Sequence, residues 1–388
     1  MDTLFPFGFP LPTAFYLTLF VLTLVVHVIF MNYVLAGSAY LAWVSIFTGG
    51  MKQRQKAPTA LVLRDWMPFA IGGAITAGVA PLLFVQILYK LPFYTANLLL
   101  SHRWMAILPV LIIAFYLTYL LKSRLIGRWA IGVRVLVGLG AFACLAFIAY
   151  SWTENHVLIL QGRQAWADFY ARGAVVHFEP SMIPRLAVLF FGAFPIMALL
   201  AGWQLWGANR RTRAAGGGRP APPAPSDSPI TLVPRLTDDE AVFESRRLAG
   251  ISFVGLLAAL LCGLWYFAIA GEAVHDQLMT LFALPYFILA LAGLVLQAVA
   301  WAATWQQGRF RAHLLLLAGA GGFLSILGAA VVREAIRLTS MDITMFYDEH
   351  AEAARVGGLV TFLVFAVING VLIAVCIRTV IRGKATTA

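Results

Sequence analysis

His27 stands in the run TLVVHVIFMNYVLAG, with apolar residues on both sides. An ionisable side chain inside a long apolar helix is costly in lipid and faces the interior of a bundle. Neutral imidazole is a common metal and haem ligand. His27 is therefore a candidate to hold an iron; the structural alternative is a hydrogen bond to a neighbouring helix. A second candidate group lies in GAAVVREAIRLTS. There Glu334 and Arg337 are three residues apart, which puts them on one helix face, and Arg333 adds a second cation. Such a group would place an acid beside a cofactor and a guanidinium against a propionate. The alternative is an interfacial ion pair. Gln86 offers a polar contact between helices. Met31, Met105, Met182 and Met279 are soft enough to serve as axial ligands, and core filling is the other use of each.

The remaining histidines are unevenly placed. His102, His156, His177, His275 and His350 fall at or beyond the ends of apolar runs on one side, and His313 near an end on the other. Cys144, Cys262 and Cys376 all sit inside apolar runs and read as small buried hydrophobes. Without CxxCH or CxxC the chain has no signature for attaching a c-type haem, and none for an iron–sulfur or zinc site.

These residues must be positioned by membrane helices. Of 388 residues 61% are hydrophobic and 12% charged, far from the balance of a water-soluble domain. Lipid is the solvent that accommodates so much apolar surface. The net charge of +11 fits cytoplasmic loops that collect Lys and Arg. It does not imply nucleic-acid binding, because no basic, aromatic-interleaved soluble segment is present. The start MDTLFPFGFPLPTAF lacks a basic n-region and a cleavage site, so the first apolar run is expected to remain as a helix.

Apolar runs predict nine spans, near 11–47, 66–90, 100–122, 130–152, 182–208, 247–270, 277–304, 311–336 and 354–381. With the N-terminus outside, 20 of the 28 Lys and Arg face the cytoplasm and 11 of the 17 acids face outward, which sets the orientation. The fold class is thus an all-α polytopic bundle. It divides into a five-helix half, 1–208, a Gly-, Pro- and Arg-rich cytoplasmic linker, 209–245, read as disordered, and a four-helix half, 246–388. Segment 153–181 mixes Trp, Tyr and Phe with polar residues, as an interfacial element on the outer surface does. Segment 338–353 carries four acids. Both point to an outward working face that docks a partner.

This order resembles subunit I of the cytochrome bd-type quinol oxidases, a nine-helix family with its N-terminus outside. His27 in FYLTLFVLTLVVHVIF stands where that family has a haem-ligating histidine. GGAITAGVAPLLFVQ, ending on Gln86, is similar to the family's Gly-rich second helix. Glu334 and Arg337 keep its Glu-x-x-Arg, although Leu-Thr-Ser replaces the Gln-Pro-Trp that follows. By this resemblance Glu334 is a candidate haem ligand, and Met279 matches the methionine partner of a low-spin haem. Other features depart from the family. WMAILPVLIIAFYLTYLL has no glutamate, RLAVLFFGAFPIMALLAG has no histidine, and GEAVHDQ stands in place of the large quinol-binding loop. Without those carboxylates, proton delivery for oxygen reduction is missing.

The resemblance therefore implies the scaffold without the oxidase chemistry. The expected protein is a subunit of a respiratory complex in the bacterial inner membrane, possessing one b-type haem at His27 or none. It would pass electrons between the quinone pool and a periplasmic c-type cytochrome or another redox subunit. Two alternatives are a haem-free anchor within a hetero-oligomeric redox complex and a transporter. A transporter calls for charges along a midplane path, of which the helices offer few.

Overall fold

A computed structural model describes residues 9–47, 58–123, 125–214, 236–356 and 360–368, and single positions 371, 372, 375 and 378. Among the described residues there are helices and turns and no strands. The principal helices are α1 (Leu11–Phe47), α2 (Pro58–Leu88), α3 (Lys90–Leu100), α4 (His102–Met105), α5 (Ile107–Lys122), α6 (Ile131–Ala171), α7 (Met182–Ala214), α8 (Asp238–Ile269), α9 (Glu272–Leu278), α10 (Leu284–Gln307), α11 (Ala312–Thr339) and α12 (Tyr347–Arg355). Helix α13 covers Val360–Ile368.

Eight spans, Leu11–Ile46, Pro58–Leu88, His102–Lys122, Ile131–Ala171, Met182–Ala208, Asp238–Ile269, Leu284–Gln307 and Ala312–Leu338, are long and apolar enough to cross a membrane. The chain is a multi-pass α-helical membrane protein. Backbone groups in lipid must be satisfied within the chain, and these helices do that within each segment. The ninth expected span, 354–381, is helical over 360–368 and at 371, 372, 375 and 378; counting Ile343–Arg355 with Val360–Ile368 as one bent span gives nine.

Helices pack mainly as antiparallel neighbours, α1 with α2, α5 with α6, α7 with α8 and α10 with α11, while α1 also meets α6, α7, α11 and α12. Helix α1 is thus the hub, with His27 on it. Glycines set the closest approaches. A Cβ on Gly293 of α10 would lie 2.5 Å from the Gly321 carbonyl oxygen of α11, and one on Gly328 would lie 2.5 Å from the Tyr286 carbonyl oxygen. Backbone meets backbone there, the usual use of small residues in membrane bundles.

Several boundaries differ from the expected ones. Helix α2 begins at Pro58 rather than near 66; Pro at the first helical position is well tolerated because its missing N–H had no partner to lose. Pro68 and Pro81 lie inside it. Helix α6 runs past 152 to Ala171, breaking at Gly162, whose φ of 77° only glycine adopts freely. The described ends of the expected linker, 209–214 and 238–245, are helical. Helix α8 starts at Asp238 on a reciprocal cap in which Thr237 Oγ1 accepts from the Glu240 N–H and Glu240 accepts from the Thr237 N–H. The stretch 215–235 and Cys376 lie outside the described residues.

Candidate functional site

Alternation of the spans gathers the start of α1, the end of α2, α3, the ends of α6, α8 and α11, the start of α7, and α9 and α12 at one end of the bundle. His102, His156, His177, His275 and His350 are at this end, hereafter the histidine-rich end. The opposite, basic end carries Arg64, Lys122, Arg134, Arg246, Arg247, Arg309 and Arg311.

His27 lies on α1 against the Gly-rich stretch of α2. Its Nδ1 is 2.9 Å from the Ala74 carbonyl oxygen. A carbonyl only accepts, so Nδ1 carries the proton and the neutral ring keeps its lone pair on Nε2. That second nitrogen makes no hydrogen bond among the described residues. A Cβ on Gly78 would come within 2.9 Å of His27 Cε1, and one on Gly73 within 2.8 Å of the Phe30 ring. The two glycines therefore cut the shallow groove in which His27 and Phe30 lie. Arg333 is near enough to act electrostatically on the imidazole.

Glu334 on α11 is 2% exposed and Arg337 3%. The Glu334 carboxylate accepts four hydrogen bonds. Two come from Arg333, at 3.1 and 3.0 Å. The others come from Tyr89 Oη at 2.9 Å and from Arg337 Nη1 at 3.2 Å. An ionised carboxylate has about four lone-pair positions, so Glu334 is saturated by the protein itself. Burial above all, with Glu334 beside it, holds the Tyr89 hydroxyl well above its usual pKa, so it stays a donor. Arg337 spans the site: its guanidinium lies over the Tyr89 ring at 4.5 Å and the Phe20 ring at 5.9 Å, while Nη2 reaches His156 Nδ1 at 2.6 Å. Arg333 also lies over Phe20, at 5.6 Å. Phe20 and His27 are two turns apart on one face of α1, so the arginine pair and the imidazole lie on the same side of that helix.

The structure thus brings His27, Glu334 and Arg337 to one junction of α1, α2, α6 and α11. Gln86, half-buried near the end of α2, forms no hydrogen bond among the described residues. Met279 is 55% exposed on the turn after α9, and α9 packs on α11. His156 and Tyr89 were not singled out by their sequence context. Only the position of His156 at a helix end hinted at it, and Tyr89 reads as one aromatic among many.

His350 and His275 have structural partners for their rings, and His177 is held by its backbone. His350 Nδ1 bonds Thr13 Oγ1 at 2.8 Å and its Nε2 the Leu88 carbonyl oxygen at 3.2 Å, which pins α12 across α1 and α2. His275 Nε2 donates to the Phe267 carbonyl oxygen at 2.8 Å. The peptide N–H of His177 donates to Glu154 at 2.6 Å, and Glu154 also pairs with Arg103 at 2.8 Å. Segment 172–181 is thereby fastened to α4 and α6.

The chain matches no family model, no curated protein and no solved structure.

A haem needs axial ligands rather than a closed cluster of them, and among the described residues no three His, Cys, Asp or Glu side chains converge as a metal site. His27 meets the requirement for one ligand: the ring is tethered through Nδ1–H to a backbone carbonyl, as metal-bound histidines are, and it presents Nε2. Glu334 does not fit as a second ligand in this arrangement, because a metal would have to displace one of its four donors.

Proposed function

We propose that this chain is the membrane subunit of a respiratory electron-transfer complex, similar in scaffold to subunit I of the bd-type quinol oxidases and holding one b-type haem through His27. The observation that carries this reading is the forced tautomer of His27, which leaves on Nε2 a lone pair with no hydrogen bond among the described residues. A bound haem supplies a one-electron couple. The protein's part is to fix the ligand and its surroundings. Ala74 holds the imidazole in one orientation, and Gly78 lets α2 close on the ring. Arg333 and Arg337 provide positive charge for a propionate, with Glu334 aligning the two guanidiniums rather than binding the iron.

On this reading electrons pass between the quinone pool and a periplasmic c-type cytochrome or another redox subunit. The histidine-rich end supports a docking face: Glu272 and Asp276 of α9 and Asp342, Asp348 and Glu352 around α12 are all exposed there beside Lys90 and Arg355, and exposed charge steers a partner of complementary charge. A haem-free anchor is the second reading, favoured by the internal saturation of Glu334. The test is to purify the chain with its partners from native membranes and record its visible spectrum after adding a quinol. Reduction of a b-type band by quinol supports electron transfer. A complex with no haem absorbance supports the anchor instead.

A further inference from the structure

A cleft at the basic end, far along the bundle from His27, is lined by Leu41, Val44, Ala60, Leu121 and Ile126, with Ser45, Arg64 and Arg134. It encloses about 40 Å³ and lies between α1, α2, α5, α6 and the 3-10 turn Leu125–Arg128. Two features are unexplained by packing. Arg134 Nε is buried without a hydrogen-bond partner, and a buried guanidinium donor left unpaired is costly. Arg64 likewise makes no hydrogen bond among the described residues. The Ser45 hydroxyl hydrogen is spent on the Leu41 carbonyl oxygen at 2.8 Å. The nearby acid, Asp65, is approached by Lys122, whose Nζ lies 3.7 Å from Oδ1 and 3.0 Å from its backbone oxygen. Among the described residues three cations, Arg64, Arg134 and Lys122, therefore stand near one acid, and no carboxylate lines the cleft.

We infer that this cleft binds the phosphate of an anionic phospholipid, with Arg64 and Arg134 as its donors. Arginine suits phosphate because its planar fork offers parallel donors, and basic pockets between membrane helices on one leaflet take such head groups. The walls decide between a lipid and a solute. Five of the eight lining residues are aliphatic, and Trp43, which neighbours Val44 on α1, is 61% exposed. A cleft of this size takes the phosphate alone, while the lipid-facing surface beside it accommodates the glycerol and acyl chains; a free phosphate ion would be badly solvated between such walls.

The experiment is native mass spectrometry of the full chain in detergent, titrated with phosphatidylglycerol, with phosphatidylcholine or with inorganic phosphate. The expected result is one phosphatidylglycerol retained in preference to phosphatidylcholine, with affinity weakened roughly fivefold by Arg134→Gln and again by Arg64→Gln. Arg309→Gln, an exposed cation outside the cleft, leaves it unchanged. Should Arg134→Gln fold poorly, Arg64→Gln and the charge-preserving Arg134→Lys carry the test, the latter weakening binding by loss of the fork alone. No preference between the lipids overturns the inference. So does an equal loss in Arg309→Gln, or competition by inorganic phosphate at comparable concentration. None of these outcomes depends on haem at His27.

Discussion

Nη2 of Arg337 lies 2.6 Å from Nδ1 of His156. A guanidinium has no lone pair to offer, so His156 must accept there and carry its proton on Nε2. His27 has the opposite assignment, with the proton on Nδ1 and the lone pair on Nε2. Two histidines at one junction thus have opposite tautomers, each dictated by a partner that can act in only one sense. One holds an arginine, and the other leaves its Nε2 without a hydrogen bond among the described residues.

The saturation of Glu334 makes a first prediction. Glu334→Gln removes the carboxylate bonded to both Arg333 and Arg337 and leaves Arg337 buried without that counter-charge. Breaking a buried ion pair from one side costs about 3–5 kcal/mol. A clear fall in the thermal midpoint of the detergent-solubilised chain is expected. A midpoint equal to that of the wild type would show that the pair is not holding α11 to Tyr89.

Gly78 offers a test of the groove. Gly78→Val places a branched side chain where a single Cβ already lies 2.9 Å from His27 Cε1. Overpacking of this kind costs about 1–3 kcal/mol, within what a bundle tolerates. The ring is expected to turn away from Ala74, so haem occupancy should drop while the helical circular dichroism stays that of the wild type. Full occupancy in Gly78→Val would mean that the α1–α2 groove does not set the ligand.

His350, on α12 and outside the eight spans, has a pH consequence. Burial, the largest effect, pushes its pKa below the ordinary value, against smaller upward pulls from the Leu88 carbonyl and Glu349. The folded state therefore favours the neutral ring. Its contribution to stability is full above the unfolded value of about 6.5 and is lost as pH falls through the lower folded value. Melting curves between about pH 5 and 8 should show this loss in the wild type, and the acid-side slope should shrink in His350→Gln. Identical slopes would place the pH dependence elsewhere, for instance at His177, which burial also pushes down.

The contact between α10 and α11 predicts a further sensitivity. Gly293→Leu drives a side chain into a position 2.5 Å from the Gly321 carbonyl oxygen and 2.6 Å from the Ser325 nitrogen. Backbone cannot yield as a flexible side chain can, so the loss should exceed that of Gly192→Leu, where a Cβ meets nothing within 4 Å. Comparing folded yields of the two variants by gel filtration checks the ranking.

The fold was largely legible because membrane spans announce themselves: twenty or so apolar residues leave little choice of structure. What composition hid were helix ends. Thr237-Asp-Asp-Glu240 is a capping box, a local signal that places the start of α8 inside a region otherwise read as linker. Gly162 breaks α6 although nothing around it looks like a turn, so the polar stretch beyond 152 is helix continued past the membrane. At the site, His27, Glu334 and Arg337 stood out because charge is rare in apolar runs. His156 and Tyr89 did not, since their importance lies in contacts with residues 181 and 245 positions away. No spacing rule reaches that far.

The most direct test of a haem at His27 is the reduced-minus-oxidised spectrum of the purified complex beside that of His27→Ala, with thermal midpoints recorded for both. The account predicts a b-type α-band in the wild type that is lost in His27→Ala, while the variant still folds and keeps its partners. A b-type band of undiminished size in the folded variant, or no haem absorbance in the intact wild-type complex, would contradict it.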